Sequence, residues 1–239
     1  PLVDAYGDDW WFLTAYAFAL VEMGQWEKGH RLVERALEAF PRNAVGAHIR
    51  CHALYESGED KEALRYLTEW LPDYDRTGLM HCHIWWHYCL LQMTLGHQAE
   101  AWSAYDEHCA PGVSVSPGIN ILTDGAALCW RSELAGEARP TKRWKALRDY
   151  YESSFPRPMV FVDAHAGLAY AALGQTDALQ AYIEQAEELG SDYPHRESTF
   201  PRSREVLDEI LADVPGPARH QIVCQTTADL YGFDLSASA

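Results

Sequence analysis

The 239 residues are 48% apolar and 23% charged, the make-up of a chain that folds around a core and not of a disordered one. Nineteen Lys and Arg against thirty-five Asp and Glu give a formal charge of −16, which repels nucleic-acid phosphates and anionic lipid surfaces, so neither is expected as a partner. No stretch approaches the roughly 18 consecutive apolar residues a spanning helix needs, and the start at Pro1 carries neither Met nor a signal pattern and reads as trimmed; a cytoplasmic protein is expected.

Apolar residues recur with the helical period throughout, and no stretch alternates long enough for a strand, so the chain reads as all-α. Gly24, Gly58, Gly96, Gly136 and Gly174 recur at intervals of 34, 38, 40 and 38 residues, each between two amphipathic segments. Hairpin one is expected over about 8–40, with Asp8 and Asp9 placed to cap its first helix. Hairpin two covers 43–71, capped by Asn43 and ended by Pro72, and hairpin three covers 79–110. The turn-rich stretch Pro111–Pro117 forms a loop, followed by hairpin four over 119–154 and hairpin five over 158–189. Two further helical segments over 203–231 are expected to cap the C-terminal end. The segment Leu13–Pro41, with Gly24 at its turn, Trp26, Gly29, Ala36 and a closing Pro41, resembles a tetratricopeptide repeat. The expected architecture is therefore an α-solenoid of tetratricopeptide-like helix hairpins winding as a right-handed superhelix, one domain over 1–239.

Seven residues before each turn glycine stand Ala17, Cys51, Cys89, Cys129 and Gly167. A small side chain at one fixed offset marks a close helix approach, so these cysteines are expected to be buried thiols. With no C-x-x-C pair, the chain reads as disulfide-free. Trp10, Trp26, Trp70, Trp102 and Trp144 fall at offsets where such an array packs its aromatic residues and are assigned to the core. His30, His97, His108, His195 and His220 follow no shared pattern and are expected on loops or in solvent.

The remaining histidines are organised. His48 and His52 lie four residues apart in the first helix of hairpin two, hence on one face, with Glu56 a turn further on; His83 and His87 repeat that spacing in hairpin three, around Trp85 and Trp86. Counted from the turn glycines, His48, His52, Trp86 and Trp130 take groove-facing offsets, with His83 at the groove entrance. Hairpin five adds Asp163 and His165.

The stretch G-A-H-I-R-C-H-A-L-Y-E-S-G from Gly46 to Gly58, H-I-W-W-H at His83–His87 and A-Y-D at Ala104–Asp106 resemble the tetratricopeptide repeat protein 38 family. So do A-L-C-W-R-S-E-L-A-G at Ala127–Gly136, Arg143-Trp144 and V-D-A-H-A-G-L-A at Val162–Ala169. The resemblance covers about residues 10–190. It implies repeats of about 38 residues carrying His, Trp and Asp along their first helices; it bears on fold and site location, not on a reaction.

Three chemistries fit this pattern. Paired His at i and i+4 can chelate one ion, with a third ligand from the next helix, but no carboxylate lies within either pair to act as the base of an H-E-x-x-H site. The residue reading therefore places metal below an organic ligand and expects no cofactor. In the favoured reading a small organic ligand is held by Trp86, Trp130 and Glu56, with His48, His52, His83, His87, Asp163 and His165 as candidate acid–base or hydrogen-bonding groups. Whether the protein is an enzyme stays open. The alternative is a protein-interaction scaffold binding a peptide or partner protein in the concave groove; with only four Lys in the chain, a cluster of basic groups gripping a peptide carboxylate is not evident.

Overall fold

Helices α1 (Trp10–Glu22) and α2 (Trp26–Ala39) are joined by a turn that recurs four more times among the described residues. Gly24 adopts φ of 75°, its N–H donates to the Val21 carbonyl at 2.9 Å, and the Gln25 N–H donates to Leu20 at 2.8 Å. This paired closure satisfies the last carbonyls of α1 and needs a left-handed residue, which only glycine supplies without steric cost. The same two bonds close the turns at Gly58, Gly96, Gly136 and Gly174. They separate α3 (Ala44–Glu56) from α4 (Asp60–Trp70), α5 (His81–Thr94) from α6 (Gln98–His108), α7 (Gly118–Leu134) from α8 (Thr141–Ser154), and α9 (Val160–Ala172) from α10 (Thr176–Glu188). A short α11 spans Gly216–His220. This computed structural model describes residues 5–156, 159–188, 211, 212 and 214–220; among them there is no strand, and no helix is long and apolar enough to cross a membrane.

Side-chain caps close the N-terminal ends of α1 and α3. Asp9 accepts from the Phe12 N–H at 2.9 Å, whereas Asp8 pairs with Arg35 instead of capping. Asn43 accepts from the Gly46 N–H at 3.1 Å and donates through its amide nitrogen to Thr14 Oγ1 at 2.8 Å, which ties the start of α3 to α1. In the Pro111–Pro117 loop, Ser116 Oγ accepts from the Cys82 N–H at 3.0 Å and so serves the first turn of α5 from outside that helix.

Among the described residues, four buried clusters hold the helices, and each joins the two helices of one hairpin to the first helix of the next. Ala17, Val33 and Ile49 belong to one spanning α1, α2 and α3; Cys51, Leu67 and Ile84 to one spanning α3, α4 and α5. Cys89, Tyr105 and Leu128 link α5, α6 and α7, and Cys129, Trp144 and Val162 link α7, α8 and α9. Each fully buried Leu or Ile contributes roughly 1.5–3 kcal/mol through removal of its surface from water. All five small-offset residues are buried, Cys51, Cys89 and Cys129 are free thiols, and burial pushes Cys51 and Cys129 up to about 12. A Cβ on Gly29 would lie 2.9 Å from the Ala17 carbonyl oxygen, so the close approach of α2 to α1 is one that only glycine permits.

The tryptophans divide differently from the expectation. Trp70 and Trp144 are buried, their indole N–H groups donating to the Pro41 carbonyl at 3.0 Å and to Glu133 at 2.6 Å, and Trp102 is half-buried beneath Arg143. Trp10 and Trp26, however, are each 38% exposed and are not core residues. Trp10 rests on the ring of Phe40, itself exposed, at the flank of the first hairpin.

The chain divides into two units, Pro1–Tyr182 and Ile183–Ala239. The first contains hairpins one to four, α9 and the first half of α10. In the second, the described residues comprise the end of α10 and the segment carrying α11; most of the cap expected at 203–231, and with it His195 and Cys224, lies outside the described residues.

Candidate functional site

Helices α1, α3, α5 and α7, the first helices of hairpins one to four, surround a cavity of about 410 Å³. Phe18 and Glu22 come from α1; His48, His52, Tyr55 and Glu56 from α3; His83, Trp86, His87 and Leu90 from α5; Arg131 from α7. The volume falls within the range of small-molecule sites. The wall is mostly apolar, and four of its polar groups form one imidazole cluster.

That cluster merges the two i, i+4 pairs. The Nε2 atom of His48 lies 3.0 Å from Nε2 of His87, 3.0 Å from Nε2 of His52 and 3.1 Å from Nε2 of His83. His48 and His52, with centroids 4.5 Å apart, and His52 and His87, 4.7 Å apart, meet edge to face, while His83 is tilted 54° against His48. On the far side of its ring, His83 Nδ1 lies 3.0 Å from Oδ2 of Asp124, a buried carboxylate in α7. Trp86 stacks on His83 with centroids 5.3 Å apart, and its buried indole N–H has no hydrogen-bond partner. Phe18 meets His52 edge-on.

Burial favours the neutral form of His48, His52 and His87. Burial, followed by the neighbouring His52 and His83, holds His48 down to about 2. Burial lowers His87 well below the ordinary range, with His48, His83 and His52 adding to the effect. His52 is lowered too, chiefly by burial, with Glu22 of α1 and Glu56, one turn further along α3, opposing the shift.

Of the candidates named from the sequence, His48, His52, His83, His87, Trp86 and Glu56 share this cavity. Trp130, Asp163 and His165 do not line it. Trp130 is 42% exposed, and the α7 contribution comes from the next residue, Arg131. Asp163 is buried where α9 begins, accepting from the Tyr151 hydroxyl and the Met159 N–H, both at 2.7 Å; it holds the helix start and the α8 contact. His165 bonds through Nδ1 to the Phe161 carbonyl of its own helix at 2.7 Å. The cavity thus draws on hairpins one to four, where the sequence suggested two to five.

Asp124, Arg131, Glu22 and Phe18 were not singled out from the sequence. A signal for Asp124 existed: it is the one carboxylate in the first two turns of α7, a helix whose next carboxylate is Glu133 near its end. A second aromatic group was also missed. His81, buried in the first turn of α5, receives the Trp85 indole N–H at 3.1 Å, and His108, expected in solvent, stacks on Trp85 with ring centroids 3.6 Å apart.

No protein-family model matches the chain, and no solved structure matches it.

Proposed function

We propose that the protein is a tetratricopeptide-like helical repeat protein of the kind the repeat protein 38 resemblance implies, and that it binds a small organic ligand in the cavity between α1, α3, α5 and α7. One observation carries this reading: an apolar cavity of about 410 Å³ with four inward-facing imidazoles at one end and Arg131, Glu22 and Glu56 around its wall. An apolar enclosure with a few convergent polar groups is the general form of a small-molecule site. Trp86 and Phe18 offer flat surfaces to an unsaturated or ring-bearing ligand, and the charged wall groups can orient its polar end. His52 is placed to exchange a proton with a bound ligand, which is the route by which the site would support acid–base chemistry.

Thermal unfolding against a library of small organic metabolites tests this. A ligand present at about 100 times its Kd stabilises by about 2.7 kcal/mol, a shift of roughly 5–10 °C for a chain of this size. Such a shift should vanish in His52→Ala and Trp86→Ala while their helical circular dichroism is retained. A library that moves no midpoint, or shifts that survive both substitutions, would exclude this cavity as the binding site.

A further inference from the structure

The imidazole cluster does not close as a hydrogen-bond network. A neutral imidazole Nε2 has a single position in the ring plane, used either as one N–H donor or as one lone-pair acceptor. Nε2 of His48 faces three other Nε2 atoms at 3.0, 3.0 and 3.1 Å, so at least two of these contacts have no shared hydrogen. Ring nitrogens brought this close with no shared hydrogen and no bridging atom set lone pair against lone pair or N–H against N–H, which is unfavourable. A cation among them turns the same geometry favourable: an ion held tetrahedrally by bonds of about 2.0–2.1 Å separates its nitrogen ligands by about 3.3 Å.

We propose that His48, His83 and His87 bind a first-row divalent transition-metal ion through their Nε2 atoms, with its fourth position open to the cavity beside His52. The ligand atoms of these three residues all lie within 4.8 Å of one another. A second, independent feature fits the assignment. Asp124 stands behind His83 at Nδ1, so the ring keeps its proton on that nitrogen and presents the Nε2 lone pair inward; a carboxylate behind a ligating imidazole is the usual outer support of such ions. The carboxylate from α7 thus orients a ligating ring and is not the general base of an H-E-x-x-H site. Three imidazoles and no thiolate select zinc, cobalt, nickel, copper or iron over magnesium or calcium. Three protein ligands with one open position is the arrangement of catalytic and not structural sites, and the open position faces the proposed organic ligand.

The inference rests on the reading of this cavity as a binding site for its location, but it is tested with metal alone. The full chain, stripped with chelator and dialysed, is titrated with Co²⁺ and Zn²⁺ while visible absorption and bound metal are measured. We expect about one ion per chain, ligand-field bands of a low-coordinate Co²⁺ complex, and their displacement by Zn²⁺. His48→Ala and His87→Ala should abolish stoichiometric binding, and Asp124→Asn should weaken it about 10–100-fold. His52→Ala should leave stoichiometry at one. Failure of the folded wild-type chain to take up either ion overturns the proposal without need of any variant, and loss of the ion in His52→Ala overturns the three-ligand assignment. Organic-ligand shifts in a chain that takes up neither ion would leave the cavity reading standing while the metal proposal fails; metal uptake with no organic ligand found would do the reverse.

Discussion

Asp124 and His83 stand 41 residues apart in sequence, in the first helices of adjacent hairpins, and meet at 3.0 Å through Oδ2 and Nδ1. The contact fixes the tautomer of His83 and thereby the direction of its lone pair. Replacing Asp124 with Ala should free the ring, leave its N–H without a partner and cost about 1–3 kcal/mol. Imidazole ¹⁵N shifts check the tautomer: the Nδ1–H form should dominate for His83 in the wild type and lose its dominance in Asp124→Ala.

The turn glycines carry a separate prediction. A Cβ at Gly96 would meet no atom within 4 Å, yet its φ of 84° strains any L side chain. Gly96→Ala should therefore lose about 1–2 kcal/mol in urea unfolding from backbone strain alone. Gly96→Asn should lose less, because Asn tolerates that region.

Trp144 and Trp10 should respond oppositely to truncation. Trp144 is fully buried between α7, α8 and α9 and bonds to Glu133, so Trp144→Ala should cost about 3–5 kcal/mol. Trp10 is 38% exposed, and Trp10→Ala should cost less than half as much. Equal losses at the two positions in matched chemical unfolding would contradict the division of the tryptophans described above.

Acid should weaken the fold through His108. Burial lowers its pKa below the ordinary 6.5, so below that value the unfolded chain takes up a proton that the folded chain refuses. Its contribution is complete above about pH 6.5 and is lost as the pH falls toward the folded value. Thermal midpoints measured from pH 7.5 to 5 should fall, and His108→Gln should flatten part of that decline. An unchanged slope in the variant would show that the stacked ring on Trp85 does not resist protonation.

Helices and turns were legible because each rests on local rules. A left-handed glycine every 34 to 40 residues and a 3.6-residue apolar period fix where helices stop and which face turns inward. The spacing of His48 with His52, and of His83 with His87, likewise follows from helix geometry alone. What offsets from a turn cannot convey is how adjacent helices are rotated against each other. Trp130 stands at the same offset as His52, six residues before its glycine, yet Arg131 reaches the cavity; one residue is about 100° of helix rotation. The fusion of two His pairs into one cluster, and the supply of a carboxylate from α7, depend on that rotation. Asp163 has the right chemistry, but its position at the start of α9 commits its oxygens to the Met159 N–H and Tyr151.

The cavity takes side chains from four successive hairpins, whereas each buried cluster needs only one hairpin and the helix that follows it. Local pairings of this kind form readily, since they close short loops. The imidazole cluster needs no more than α3 and α5, but the complete cavity forms only once all four first helices have docked, and fraying of any one of the four hairpins opens it. Occupancy of the site would report whether the hairpins have assembled, and anything bound there would act as a clasp between parts of the chain that otherwise meet only through their neighbours.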